Sequence, residues 1–96
     1  MGACDFASIG YGCNAKEAFR TCREEALHYY GHRGYTGSIA EKDSFVMINN
    51  FDKLPAEEYA MQLIDEGDRR ISNKWGPAGC IRKSANKYLF FGIASC

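Results

Sequence analysis

The chain has 96 residues, 46% of them hydrophobic and 14% aromatic, with a formal net charge of zero. That length supports one domain with one modest core, and the composition excludes a disordered or low-complexity chain. The charge balance excludes the overall basic field that draws proteins to nucleic acid or membrane surfaces, and no apolar run approaches the ~20 residues a membrane helix needs.

Charge is nevertheless segregated along the sequence. Asp52, Glu57, Glu58, Asp65, Glu66 and Asp68 dominate residues 52 to 68, and Arg69, Arg70, Lys74, Arg82, Lys83 and Lys87 follow with no acid between them. The five cysteines (Cys4, Cys13, Cys22, Cys80 and Cys96) are odd in number, contain no CxxC pair and follow no apolar leader. They are expected to be reduced thiols of a cytoplasmic protein, several serving as small core residues.

Residues 3 to 11 alternate as a strand, with Asp5, Ala7, Ile9 and Tyr11 on one face and Cys4, Phe6 and Ser8 on the other. Asn14 and Glu17 have the spacing of a capping box, so a helix is expected from there to about Tyr30. Its buried stripe would be Ala15, Phe19, Cys22, Ala26 and Tyr30, and Gly31 would cap it. Thr36 to Glu41 and Ser44 to Asn49 are expected as two strands around a turn at Lys42 and Asp43. Phe45 to Ile48, the strongest short apolar run, is expected to be central in the sheet.

Pro55 opens a second helix, with Glu57 and Glu58 at its positive end and Ala56, Ala60, Leu63, Gly67 and Ile71 as its inner stripe. Asp65–Arg69 and Glu66–Arg70 have the spacing of helical ion pairs. Trp75 to Gly79 is a turn-rich bridge, Cys80 to Lys83 a short strand, Ser84 to Asn86 a turn, and Tyr88 to Ala94 a strand too apolar on both faces to lie at an edge. The order β-α-β-β-α-β-β predicts an α+β fold. The expected form is a five-stranded, mostly antiparallel sheet with two helices on one face, ferredoxin-like with one added strand.

Three places could carry function. The glycine-rich stretch from Gly31 to Gly37 resembles an anion-binding nest, but it runs from a helix C-terminus into a strand, the reverse of a phosphate loop. A tight bend explains its glycines better, and that bend presents His32, Arg33 and Tyr35 as a rigid corner, with Glu41 and Lys42 further along as partner contacts. The basic residues Arg69, Arg70, Lys74, Arg82, Lys83 and Lys87, with Trp75 and Tyr88 among them, form an alternative nucleic-acid surface. Cys22, His28 and His32, with Cys13 or Cys80, form an alternative metal or cysteine–histidine site, although their spacing fits no zinc motif. The acidic face of the second helix is a further candidate contact. No Walker loop or hydrolase signature is present, so neither an enzyme nor a cofactor is expected.

The segment from His28 to Phe45, with Gly34-Tyr-Thr-Gly37 and Ile39-Ala-Glu-Lys42 as its specific parts, resembles a stretch of small uncharacterised prokaryotic and phage-encoded proteins. In these a helix ends in Gly-x-x-Gly-Tyr-Thr-Gly-x-Ile-Ala-Glu-Lys. The resemblance implies a setting and no catalytic residues: a small cytoplasmic protein carried by phage or mobile elements. In that setting the expected activity is contact with a host protein or complex, as an inhibitor of host machinery such as a defence nuclease. Nucleic acid is the alternative partner, a homodimer is a further expectation, and no membrane is involved.

Overall fold

In the computed structural model, which describes residues 2–31, 34–50 and 54–96, the first alternating segment forms β1 (Ala3–Tyr11). Helix α1 (Ala15–Tyr30) starts where Asn14 Oδ1 accepts the Glu17 N–H at 2.8 Å. The Glu17 carboxylate reaches back to the Cys13 N–H at 3.5 Å, closing the expected box one residue early. Gly31 ends the helix and donates its N–H to Leu27 O at 2.8 Å.

β2 (Phe45–Met47), α2 (Ala56–Glu66), β3 (Ala78–Ser84) and β4 (Lys87–Ser95) follow. The strands form one mixed sheet in the order β1-β4-β3-β2, antiparallel except for the parallel β2–β3 pair. The fold is α+β as expected, with four strands in place of five. Thr36 to Glu41 does not form a strand. Ser38 instead caps a 3-10 turn at Ile39–Glu41, so no hairpin precedes β2. The chain must then return through α2, and a helical crossover delivers β3 parallel to β2. β2 is consequently a short edge strand, contrary to the central place expected for it. β4 is central, as its two apolar faces required.

The helices lie on opposite faces of the sheet, which corrects the expected single helical layer. Tyr88, Phe90 and Ala94 of β4, with Phe6 and Cys80, pack against Ala18, Phe19 and Cys22 of α1. Leu89 and Phe91, with Ile81, pack against Ala56, Ala60 and Leu63 of α2 and against Ile71. A strand covered by a helix on each side must be apolar on both faces, and that is the pattern of β4 from Tyr88 to Phe91 and of β3 from Ala78 to Ile81, before Arg82 to Ser84 emerge at the turn. On the α1 side Phe19, Phe45 and Phe90 form a ring cluster with centroids 5.1 to 5.7 Å apart. Gly10 allows the helix its close approach: a Cβ there would sit 2.7 Å from Ala18 O.

α2 is shorter than its apolar stripe suggested. Gly67 takes a left-handed conformation, and the N–H groups of Gly67 and Asp68 close onto Ile64 O and Leu63 O. Beyond that cap the helical spacing no longer applies. Arg70 pairs with Asp68 (Nε–Oδ1 3.0 Å, Nη2–Oδ2 2.9 Å) rather than with Glu66, to which Gln62 donates at 3.1 Å.

Pairing of Ala3 with Ser95 brings the start of β1 to the end of β4, and Cys4 and Cys96 are joined there as a disulfide, Cα–Cα 6.0 Å. This corrects the expectation of five reduced thiols; Cys13, Cys22 and Cys80 are free. Parity of the cysteine count carries no information about residues 92 apart in sequence that the sheet makes neighbours. Disulfides persist in oxidising surroundings, so the cysteine argument for a cytoplasmic location falls away. Among the described residues no helix is long and apolar enough to cross a membrane.

Candidate interaction site

The stretch after α1 doubles back over the disulfide end of the sheet. Gly34, Tyr35 and Gly37 all have positive φ (77°, 54° and 68°). Gly37 is required twice over. Its φ suits glycine, and a Cβ would fall 3.0 Å from Cys96 Cβ and 3.3 Å from Cys4 Cβ. Its N–H donates to Ser95 O at 2.8 Å, tying the bend to β4. A left-handed non-glycine residue is uncommon and costs about 1–2 kcal/mol, so Tyr35 is held there by its surroundings.

Those surroundings are polar and satisfied. The Glu41 carboxylate accepts the Thr36 N–H at 3.2 Å and the Thr36 hydroxyl at 2.8 Å, and Thr36 Oγ1 lies 2.7 Å from Ser38 Oγ. Partial burial opposes ionisation of Glu41. The bonds from Thr36, the backbone of Tyr35 and the charge of Arg23 outweigh it and hold the carboxyl below its ordinary value of 4.5.

Lys42 is the anchor. Its side chain is fully buried, and its ammonium donates to the carbonyl oxygens of Gly76 at 2.9 Å, Lys74 at 3.2 Å and Asn73 at 3.3 Å. Burial lowers its pKa from 10.5. A buried ammonium without acceptors would cost several kcal/mol, and three carbonyls on one turn supply the missing hydration shell. Arg23 Nε fixes the backbone of the same residue by donating to Lys42 O at 2.7 Å. Lys42 is thus a tie between two loops, and the expectation of it as an exposed partner contact is corrected.

Clamping the 73–76 turn against this bend brings Tyr35 and Trp75 together at the surface. Their ring centroids are 6.3 Å apart in an edge-to-face arrangement, and Lys74 Nζ lies 5.3 Å from the Trp75 centroid. Tyr35 is 50% and Trp75 64% exposed, so this is a presented pair rather than a core contact. Of the residues expected as partner contacts, Tyr35 stands at this corner. Glu41 is partly buried and turned inward to Thr36. His32 and Arg33 lie outside the described residues, as do Asp52 and Lys53 of the charge-segregated region. Trp75 was not expected in this role. The signal available was a lone tryptophan in a Trp-Gly-Pro turn, which no apolar strand or helix could bury.

The basic residues do not make one surface. Arg69, Arg70 and Lys74 precede β3, at the Tyr35–Trp75 end of the sheet, whereas Arg82, Lys83 and Lys87 lie at the β3–β4 turn at the other end. Arg70 is held by Asp68, Lys83 donates to Glu57 Oε1 at 2.7 Å, and Arg82 donates to Ser84 O at 3.1 Å. Cys22 and His28 are likewise separated. Cys22 is buried against the sheet and its thiol lies 3.7 Å from Ile9 O, while His28 is exposed near the end of α1. Burial pushes the Cys22 thiol to about 11 and the Cys80 thiol to about 12, far from the thiolate a metal or nucleophilic site needs. Among the described residues no cluster of three or more histidine, cysteine or acidic residues could hold a metal ion.

A cleft of about 690 Å³ runs between α1 and the start of β2, with Phe19 and Phe45 on its floor and Lys16, Arg20, Arg23 and Asp43 around it. The outer face of α2 is acidic around Met61, with Glu57, Glu58, Asp65 and Glu66. Comparison of the chain with protein-family models, curated proteins and solved structures gives no match.

Proposed function

We propose that this protein is a non-enzymatic binding module that contacts another protein through the corner formed by Tyr35, Trp75 and Lys74. The observation that carries the reading is the exposed Tyr35–Trp75 pair, held in place by a fully buried lysine. Leaving the exposed half or more of two large aromatics in water forgoes roughly half of the ~1.5–3 kcal/mol that full burial of a large apolar side chain gives, and a rigid aromatic pair is what the centre of a protein interface uses. In the phage or mobile-element setting that the resemblance implies, such a module acts by occupying a working surface of a host protein, a defence nuclease among the candidates. His32 and Arg33 stand three and two residues before Tyr35 in sequence and complete the proposed contact set.

The test is affinity capture from host extract with the wild type, Trp75→Ala and Tyr35→Ala. A discrete partner should be retained by the wild type and lost at least tenfold from each variant. Equal capture by all three would remove the corner from the interface. A second reading, single-stranded nucleic acid, draws on Arg69 and Lys74 lying at the same end as the two aromatics. Trp75 is the sole tryptophan, so oligonucleotide stacking should quench the intrinsic fluorescence at low salt. Unchanged emission would exclude that reading.

A further inference from the structure

The outer edge of β1 is the longest unpartnered backbone in the fold. β1 spans Ala3–Tyr11 and pairs only with β4 among the described residues, so one side of a strand ~30 Å long is free. The register fixes which groups are free. Gly2 and Cys96 exchange both their backbone hydrogen bonds, and Gly12 N–H donates to Asn86 O. In an antiparallel ladder the even residues of β1 therefore bond to β4, and the N–H and C=O groups of Ala3, Asp5, Ala7, Ile9 and Tyr11 point outward. Among the described residues, the Cys22 thiol donates to one of them, Ile9 O, at 3.7 Å.

Monomeric proteins blunt such an edge with lysine, proline or a bulge. β1 contains no lysine, arginine or proline, and its pairing with β4 runs without a register shift. Its single charge is Asp5. We infer that β1 pairs with β1 of a second copy of this chain, antiparallel about a two-fold axis at Ala7, joining two sheets into one. In this register Asp5 faces Ile9 of the other copy, Ala3 faces Tyr11, and Ala7 faces Ala7. Each large side chain meets a smaller one, and no like charges oppose each other. A register centred on Asp5 would set carboxylate against carboxylate, and of the remaining registers the one centred on Ala7 pairs every outward residue. All five outward residues take part, giving about ten backbone hydrogen bonds.

The test is sedimentation equilibrium of the purified protein over a range of concentrations, with amide hydrogen exchange read residue by residue. Twice the chain mass of 10.7 kDa is expected, with slow exchange at the N–H groups of Asp5, Ala7 and Ile9, which have no acceptor among the described residues. Ala7→Pro removes a donor used only between copies, at an edge position that tolerates proline. Ala7→Asp sets two carboxylates face to face. Each should weaken dimerisation at least tenfold while circular dichroism stays that of the wild type. If Ala7→Pro does not fold, Ala7→Asp decides. A monomer at every concentration with fast exchange at those amides overturns the inference, and so does a dimer that neither variant weakens.

Discussion

A lysine ammonium carried into a protein interior loses its hydration, and something must replace it. For Lys42 the replacement is three carbonyl oxygens from one turn, at Asn73, Lys74 and Gly76. Lys42→Met keeps much of the volume and leaves those carbonyls without their donor in a part-buried site. We expect a loss of about 2–4 kcal/mol in urea unfolding, together with a change in the Trp75 emission spectrum as the clamped turn relaxes. Wild-type stability in this variant would mean that the tie contributes nothing. In the sequence Lys42 reads as a charged turn residue between two strands. Its acceptors lie 31 to 34 residues further on, so local pattern could not show that the charge is buried. Gly37 is the opposite case: a bend there was legible, while its contact with Cys4 and Cys96 depended on how the termini pair.

At the scale of elements, three carboxylates join segments that would otherwise drift. Glu41 closes the bend after α1 through Thr36, Glu57 ties the start of α2 to Lys83 on β3, and Asp68 holds Arg70 beyond the α2 cap. The hydrogen bond from Lys83 lowers the pKa of Glu57, that from Arg70 lowers Asp68, and Glu41 is lowered despite its partial burial. Each group binds its proton more weakly folded than unfolded, so acid favours the unfolded chain. The stabilisation is present above the ordinary values of 4.5 for the glutamates and 3.8 for Asp68, and is lost as pH falls through the lower folded values. Thermal unfolding followed from pH 6 to pH 3 should show stability falling. Glu41→Gln should start lower and fall less steeply, and a slope identical to wild type would mean that Glu41 takes no part.

β1, α1, β3 and β4 were legible because period, caps and turn residues agreed within each. The 3-10 turn was not. Thr36 to Glu41 reads as the first strand of a hairpin, but Ser38 caps Ala40 and Glu41 turns back to Thr36, local bonds that compete with a ladder. With that strand went the hairpin, the ferredoxin-like order and the single helical layer. The clue to two layers was already in β4, whose consecutive Leu89, Phe90 and Phe91 need cover on both sides.

For the whole molecule, the disulfide closes nearly the full chain, so it constrains the unfolded state more than a short loop would. Reduction, or Cys4→Ser with Cys96→Ser, should lower stability by about 2–4 kcal/mol, read as a lower urea midpoint with the fold retained. An unshifted midpoint would mean that the bond is not formed in the protein in solution. The bond, Gly37, the Lys42 tie and the Tyr35–Trp75 pair all lie at one end of the sheet, where β1 and β3 begin and β4 ends. Stabilising devices and exposed aromatics are gathered at the same end, as a preorganised contact surface requires. The most direct measurement is photo-crosslinking in host cells with benzoylphenylalanine at position 75, and at position 58 on the outer face of α2 as control. A partner-bearing corner gives a discrete crosslinked protein from position 75 that position 58 does not give. No adduct at position 75, or the same adducts from both positions, would contradict it.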